Sequence, residues 1–129
     1  MIVLDTHAWI WWAGETGDLS AAASKAISEA DRIGVCTISC WEVAMLVQRG
    51  RLELTSDVAT WVSAALAMPR TIEVQLDART ATRAGCLDRD SFPGDPADRI
   101  IYATALERGM RLVSRDTDIA KFDPARVLW

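Results

Sequence analysis

The sequence predicts an α/β fold: a central, mostly parallel sheet with helices on both faces. Three observations predict it. Short β-favouring runs alternate with helical patterns along the chain. No internal repeat, linker or low-complexity stretch interrupts that alternation. And 129 residues, half of them apolar, suit one compact domain at 1–129 rather than two cores.

Ile2-Val3-Leu4 is an apolar, β-favouring run and reads as the first strand. A helix follows over Ala8–Ala13. Ser20 is placed to cap a second helix, Ala21–Arg32, with Ala22, Ala23, Ala26, Ile27 and Ala30 on its apolar side. Gly34–Ile38 reads as a strand, and Ser39 as the cap of a helix running to Gln48 and closed by Gly50. Ser56 opens a helix over Asp57–Ala67 that Pro69 stops. Thr71–Gln75 alternates like a strand and Asp77–Leu87 like a helix, with a turn-rich loop at Phe92–Pro96. Asp95 and Pro96 then stand at the N-cap and first position of a helix that ends at Gly109. Arg111–Ser114 is a strand, and Ala125–Trp129 a short final one.

Composition narrows the function classes. The formal net charge is −4, which argues against coating nucleic acid by bulk charge, although an enzyme touching a few phosphates is not excluded. No apolar run approaches the roughly 20 residues that span a bilayer, so no membrane role is expected. The hydrophobic start lacks a basic segment, the first cation being Lys25, and reads as a buried strand rather than an export signal; a cytoplasmic protein is expected. Cys36, Cys40 and Cys86 are odd in number and lack zinc-type spacing, so they read as free thiols.

In a parallel α/β sheet the reactive crevice lies beyond the strand carboxyl ends. Asp5 directly follows the first strand, and Asp116 follows Leu112-Val113-Ser114 by one residue. Each alone is also what a cap or turn residue looks like. Glu42 sits in a helix apolar nearly all round, beside Met45 and Leu46. It is either a first-turn acid favoured by the helix dipole or a charge that must be paired, neutralised or bound to a cation. Asp98 lies in the first turn of the Asp95–Arg108 helix, where an acid is stabilising in any case, but that helix reads as buried. Four carboxylates in one crevice repel, and a hard divalent cation makes the arrangement tenable. Oxygen-only ligands select Mg²⁺ or Mn²⁺. Such a centre activates water for phosphodiester hydrolysis.

These stretches resemble the PIN-domain ribonucleases, specifically the VapC toxins of type II toxin–antitoxin pairs. Ile2–His7 looks like the opening strand and first acid of that family. Ile38–Leu46, followed by Arg49-Gly50-Arg51-Leu52, is similar to its second-acid helix. Asp95-Pro96-Ala97-Asp98-Arg99 resembles the DPxDR signature, and Leu112–Asp116 the last strand and fourth acid. The resemblance covers nearly the whole chain. It implies a PIN-like three-layer α/β/α sandwich, and an acidic metal site of Asp5, Glu42, Asp98 and Asp116 with Asp5 and Asp98 foremost as direct ligands. It further implies Mg²⁺-dependent endonuclease activity on RNA, with Mn²⁺ as a substitute, a homodimer, and a VapB-type antitoxin.

Other residues qualify this reading. Thr6 and Ser114 are hydroxyls beside site acids, suited to orienting a carboxylate or water. Arg99 and Arg115 flank site acids and are candidates for pairing a carboxylate or holding a phosphate. His7 shares the side of Asp5 if the strand continues through it, and does not if a helix begins there. Asp118 reads as a helix cap. Trp9, Trp11 and Trp12 cannot all face one core, so some should be exposed or covered by a partner. Two other classes stand beside the nuclease. An aspartate-nucleophile phosphohydrolase would use Asp5, but wants a second Asp where His7 stands. A signalling receiver domain would need an acid after the Gly34–Ile38 strand, where Ser39 stands.

Overall fold

The computed structural model describes residues 1–129. Five strands and seven helices follow in the order β1 (Ile2–Leu4), α1 (Thr6–Ala13), α2 (Ala21–Glu29), β2 (Ile33–Cys36), α3 (Thr37–Gln48), α4 (Val58–Leu66), β3 (Thr71–Val74), α5 (Ala78–Cys86), α6 (Pro96–Glu107), β4 (Arg111–Val113), α7 (Thr117–Phe122) and β5 (Val127–Leu128). The sheet order is β3-β2-β1-β4-β5, and every neighbouring pair is parallel. The expected α/β/α architecture is therefore present, with a sheet that is wholly parallel.

The chain starts on the central strand, runs outward through β2 to β3, then returns to build β4 and β5 on the other side. That reversal lies between β1 and β4. With right-handed crossovers it also sends the helices of the two halves to opposite faces. One core holds Leu4, Trp9, Ile27, Ile33, Val35, Val43 and Val113 under the helices α1 to α4. The other holds Val3, Cys36, Phe92, Ile101, Tyr102, Leu112 and Ile119 under α6 and α7. Val3 and Leu4 thus enter different cores, as do Leu112 and Val113, because successive strand residues point to opposite faces. Both pairs are fully buried, which is why these strands read as unbroken apolar runs. No helix is long and apolar enough to cross a membrane.

Several boundaries differ from the sequence expectation. Strand β2 ends at Cys36 and α3 begins at Thr37, so Ser39 lies inside the helix rather than capping it. Thr37 and Ile38 favour strand by propensity, but packing overrides so weak a preference. Helix α2 stops at Glu29, where Ala30 turns extended. The Arg70 guanidinium donates to the carbonyls of Ile27 (3.0 Å) and Ala30 (2.5 Å), which fastens that end to the start of β3. Asp57, not Ser56, caps α4, its carboxylate accepting from Thr60 N. Helix α7 was not expected at all, and Asp118 is not its cap: Asp116 is. Where α6 ends, Gly109 takes φ +63 and Met110 N returns to Ala105 O (2.9 Å), a closure suited to a residue without Cβ.

The tryptophans also depart from expectation. Trp9 is fully buried, edge-on to Trp61 at 5.1 Å. Trp11 and Trp12 are half-buried. The openly exposed indole is Trp41 on α3, at 57 %. All three cysteines are free thiols, Cys36 buried and Cys86 exposed.

Candidate active site

The strand order decides where side chains gather. Asp5 is the first residue beyond β1, and Ser114 to Asp116 are the first beyond β4; the two strands are neighbours, with Leu4 in register with Val113. Their carboxyl ends therefore open together at the point where the sheet order reverses, the usual ligand crevice of such folds. Helix α3 brings Glu42 and the first turn of α6 brings Asp98. A cleft of about 410 Å³ results, lined by Asp5, Thr6, His7, Trp11, Glu42, Asp95, Asp98, Arg115 and Asp116. All four acids picked out in the sequence face it. Two larger cavities, of about 590 and 630 Å³, are lined by no carboxylate and by Glu53 alone, so size does not locate the acidic chemistry.

Each acid is held by different means. Asp5 caps α1, its Oδ1 accepting from Ala8 N at 2.8 Å. Asp116 caps α7, its Oδ1 accepting from Asp118 N (2.8 Å) and Ile119 N (3.1 Å). Asp95 caps α6 through Asp98 N at 3.0 Å. Glu42 is buried, and Thr6 donates to its Oε1 at 2.5 Å. Thr6 Oγ also lies 3.0 Å from the Ser39 hydroxyl. Thr6 has one proton and uses it on the carboxylate, so Ser39 is the donor in that second contact. The Asp98 carboxylate accepts no hydrogen bond from the protein.

Burial and mutual repulsion shape the electrostatics. Burial pushes Asp98 up, and the nearby charges of Asp95, Glu42, Asp116 and Asp5 add to it, bringing it to about 7. Burial likewise raises Glu42, against the hydrogen bond from Thr6. Asp5 is raised by burial despite opposing help from Ser114, the Ala8 N–H and His7. The cleft is thus short of positive charge. Carboxylates dominate its donor set, with His7 the one imidazole, and such a set suits a hard divalent cation. No three of these side chains converge tightly enough to enclose an ion by themselves.

Neighbouring residues divide. Ser114 is buried and its Oγ accepts from Asp116 N at 3.1 Å, so the hydroxyl sits between Asp5 and Asp116. Arg99 pairs with no carboxylate, contrary to expectation. Its guanidinium donates to the carbonyls of Ala84 (3.1 Å), Phe92 (3.0 Å) and Leu87, binding the end of α5 and the following loop to α6. Arg115 does line the cleft. So does His7, even though the helix already begins at Thr6: a first-turn residue still looks out over the strand end. Asp118 is exposed and outside the cleft. Sequence reasoning treated Asp95 only as a cap and did not place Ser39 or Trp11 here. The spacing of Asp95 from Asp98, one helical turn, was the available signal for Asp95.

The family model described as PIN domain matches residues 2–124. The chain belongs to the PIN-domain family. Within it, the chain is 44% identical over 115 residues to Ribonuclease VapC22 of Mycobacterium tuberculosis, which covers 89% of this chain and 86% of the relative. That places it among the VapC-type PIN domains. Solved structures share the fold at low identity. VapBC2 of Rickettsia felis, bound to a DNA fragment from its promoter, has a TM-score of 0.71 at 14% identity, covering 99% of this chain and 98% of that one. M. tuberculosis VapC20, a toxin that cleaves the sarcin-ricin loop, has 0.64 at 16%, covering 98% and 99%. A toxin–antitoxin complex from Klebsiella pneumoniae has 0.68 at 19%, covering 100% and 97%. PIN-domain VapC nucleases are metal-dependent in general.

Proposed function

We propose that this PIN domain is a metal-dependent endoribonuclease and the toxin of a type II toxin–antitoxin pair. The observation that carries the reading is the single cleft at the β1–β4 switch point, to which separate stretches of chain each contribute a carboxylate. The 44% identity to a ribonuclease supports RNA as the substrate. The antitoxin-bound relatives support a VapB-type partner, and the family resemblance adds a homodimer in the cytoplasm.

The site residues are Asp5, Glu42, Asp98 and Asp116. Asp5 and Asp98 are assigned as direct holders of Mg²⁺, for which Mn²⁺ would substitute. When bound, the ion supplies a Lewis acid that acidifies water and offsets charge on phosphoryl oxygens. Asp116, fixed by the first turn of α7, and Ser114, between the two strand-end acids, orient the set. Thr6 engages Glu42 Oε1, which leaves Oε2 to accept a proton from the attacking water. Burial raises the affinity of Glu42 for protons, the direction a proton acceptor needs.

The test is digestion of RNA with Mg²⁺, with Mn²⁺ and with EDTA, alongside Asp98→Asn. Cleavage with either metal, abolished by EDTA and by the substitution, is expected. Equal cleavage in EDTA, or by Asp98→Asn at the wild-type rate, would sink the reading.

A further inference from the structure

The carboxylates explain how a cation would be held but not how a polyanion would be. Five acids face the cleft, and the whole chain carries a net charge of −4. An RNA strand is therefore repelled by the surface at large, and its grip must come from a few local contacts. Arg115 is the only Lys or Arg lining the cleft. It pairs with none of the acids: the ion pairs of the protein involve Met1, Lys25, Arg79, Arg83 and Arg126. Its guanidinium lies instead over the Trp11 ring, 6.0 Å from the centroid. That keeps its planar set of donors free for a ligand.

Trp11 is a prepared surface rather than a loose one. It packs against His7 and against Trp129, each at a ring separation of 5.6 Å. It is half-buried beside the core under α1. Of the three indoles on α1, Trp11 is the one that lines the cleft. An aromatic face already fixed in place costs little ordering when a base lands on it.

We infer that Trp11, His7 and Arg115 form a substrate-contacting wall beside the carboxylates, where an unpaired base packs on the Trp11–His7 surface and Arg115 takes the adjoining phosphate. This deepens the ribonuclease reading and rests on it. A base held this way must be out of a duplex.

The test uses a short fluorescein-labelled oligoribonucleotide of mixed sequence, single-stranded or annealed to its complement, with Mg²⁺ or Mn²⁺. Arg115→Ala, on an exposed position, should raise KM roughly tenfold, with kcat falling less, and flatten the salt dependence by about one phosphate contact. Trp11→Leu should raise KM by about tenfold or more, and Trp11→Phe should retain most of the affinity. Trp11→Phe should also lose the part of the tryptophan quenching that RNA causes in wild type, a signature that mere packing would not give. If Trp11→Leu fails to fold, the Trp11→Phe quenching decides the same point. Wild-type cleavage with unchanged KM and salt slope in Arg115→Ala, or equal cutting of duplex and single strand, overturns the wall and leaves the ribonuclease standing. A wild type that cuts no RNA with either metal overturns both.

Discussion

The two sides of the acidic cleft are built on different principles. On the sheet side, Asp5 and Asp116 each spend an oxygen on the backbone of the helix that follows, so they stabilise α1 and α7 while facing the cleft. On the α6 side, Asp98 has no donor at all, and burial with the neighbouring acids pushes it up to about 7. The difference teaches that a carboxylate in this cleft has two histories. Both strand-end acids brace a helix start whether or not an ion is bound, although burial also raises Asp5. Asp98 burdens the fold until one is.

The largest test of that contrast is catalytic. Asp98→Asn should lower metal-dependent RNA cleavage by about 10²–10³-fold or more in a single-turnover assay, the scale of losing one preorganised charge-stabilising group. The next is mechanical. Arg99 ties three carbonyls to α6 and so holds the Asp98 wall in position. Arg99→Ala strands those acceptors, and urea unfolding should show a loss of about 2–4 kcal/mol.

The pH dependence then follows the buried acids, Asp98 among them. The Asp98 value of about 7 in the folded state lies above its ordinary 3.8, so the native protein binds that proton more tightly than the unfolded chain does. Its stabilising contribution is full below about pH 4 and is lost as pH rises through about 7. Melting of metal-free protein should therefore fall from pH 5 to pH 8, and Mg²⁺ should restore it at pH 8. Asp98→Asn should make the profile shallower, with Asp5 and Glu42 still contributing, and stabilise the metal-free protein at pH 8 by roughly 1–3 kcal/mol. A steeper profile in the variant would break the comparison. The smallest effect is on the sheet side and has the opposite sign. Asp116→Ala removes the α7 cap and should cost about 1 kcal/mol without metal, whereas Asp116→Asn, still a capping residue, should cost almost nothing.

Much of this was legible in the chain, for local reasons. Asp5 and Asp116 follow apolar strands directly, and a parallel sheet sends both to one edge. Asp98 came with Asp-Pro, the strongest helix start in the sequence, and Glu42 stood out as a charge in apolar surroundings. What failed depended on how elements meet. The Thr6–Ser39–Glu42 link exists because α1 and α3 cross at that height, and no spacing within either helix encodes it. Arg99 was misread because it is next to Asp98, yet successive helical residues point about 100° apart, and Arg99 turns toward α5. Helix α7 was missed because it is one short segment of six residues whose cap, Asp116, had been read for its other role.

The place of β1 in the sheet has a consequence for how the protein is made. The strand laid down first stays open along one side until β4 emerges from the ribosome and pairs with it. Asp5, Glu42 and Asp98 are already synthesised by then, but the crevice has only half its floor, and Asp116 arrives with the piece that completes it. A nascent chain without β4 thus lacks the complete acidic set.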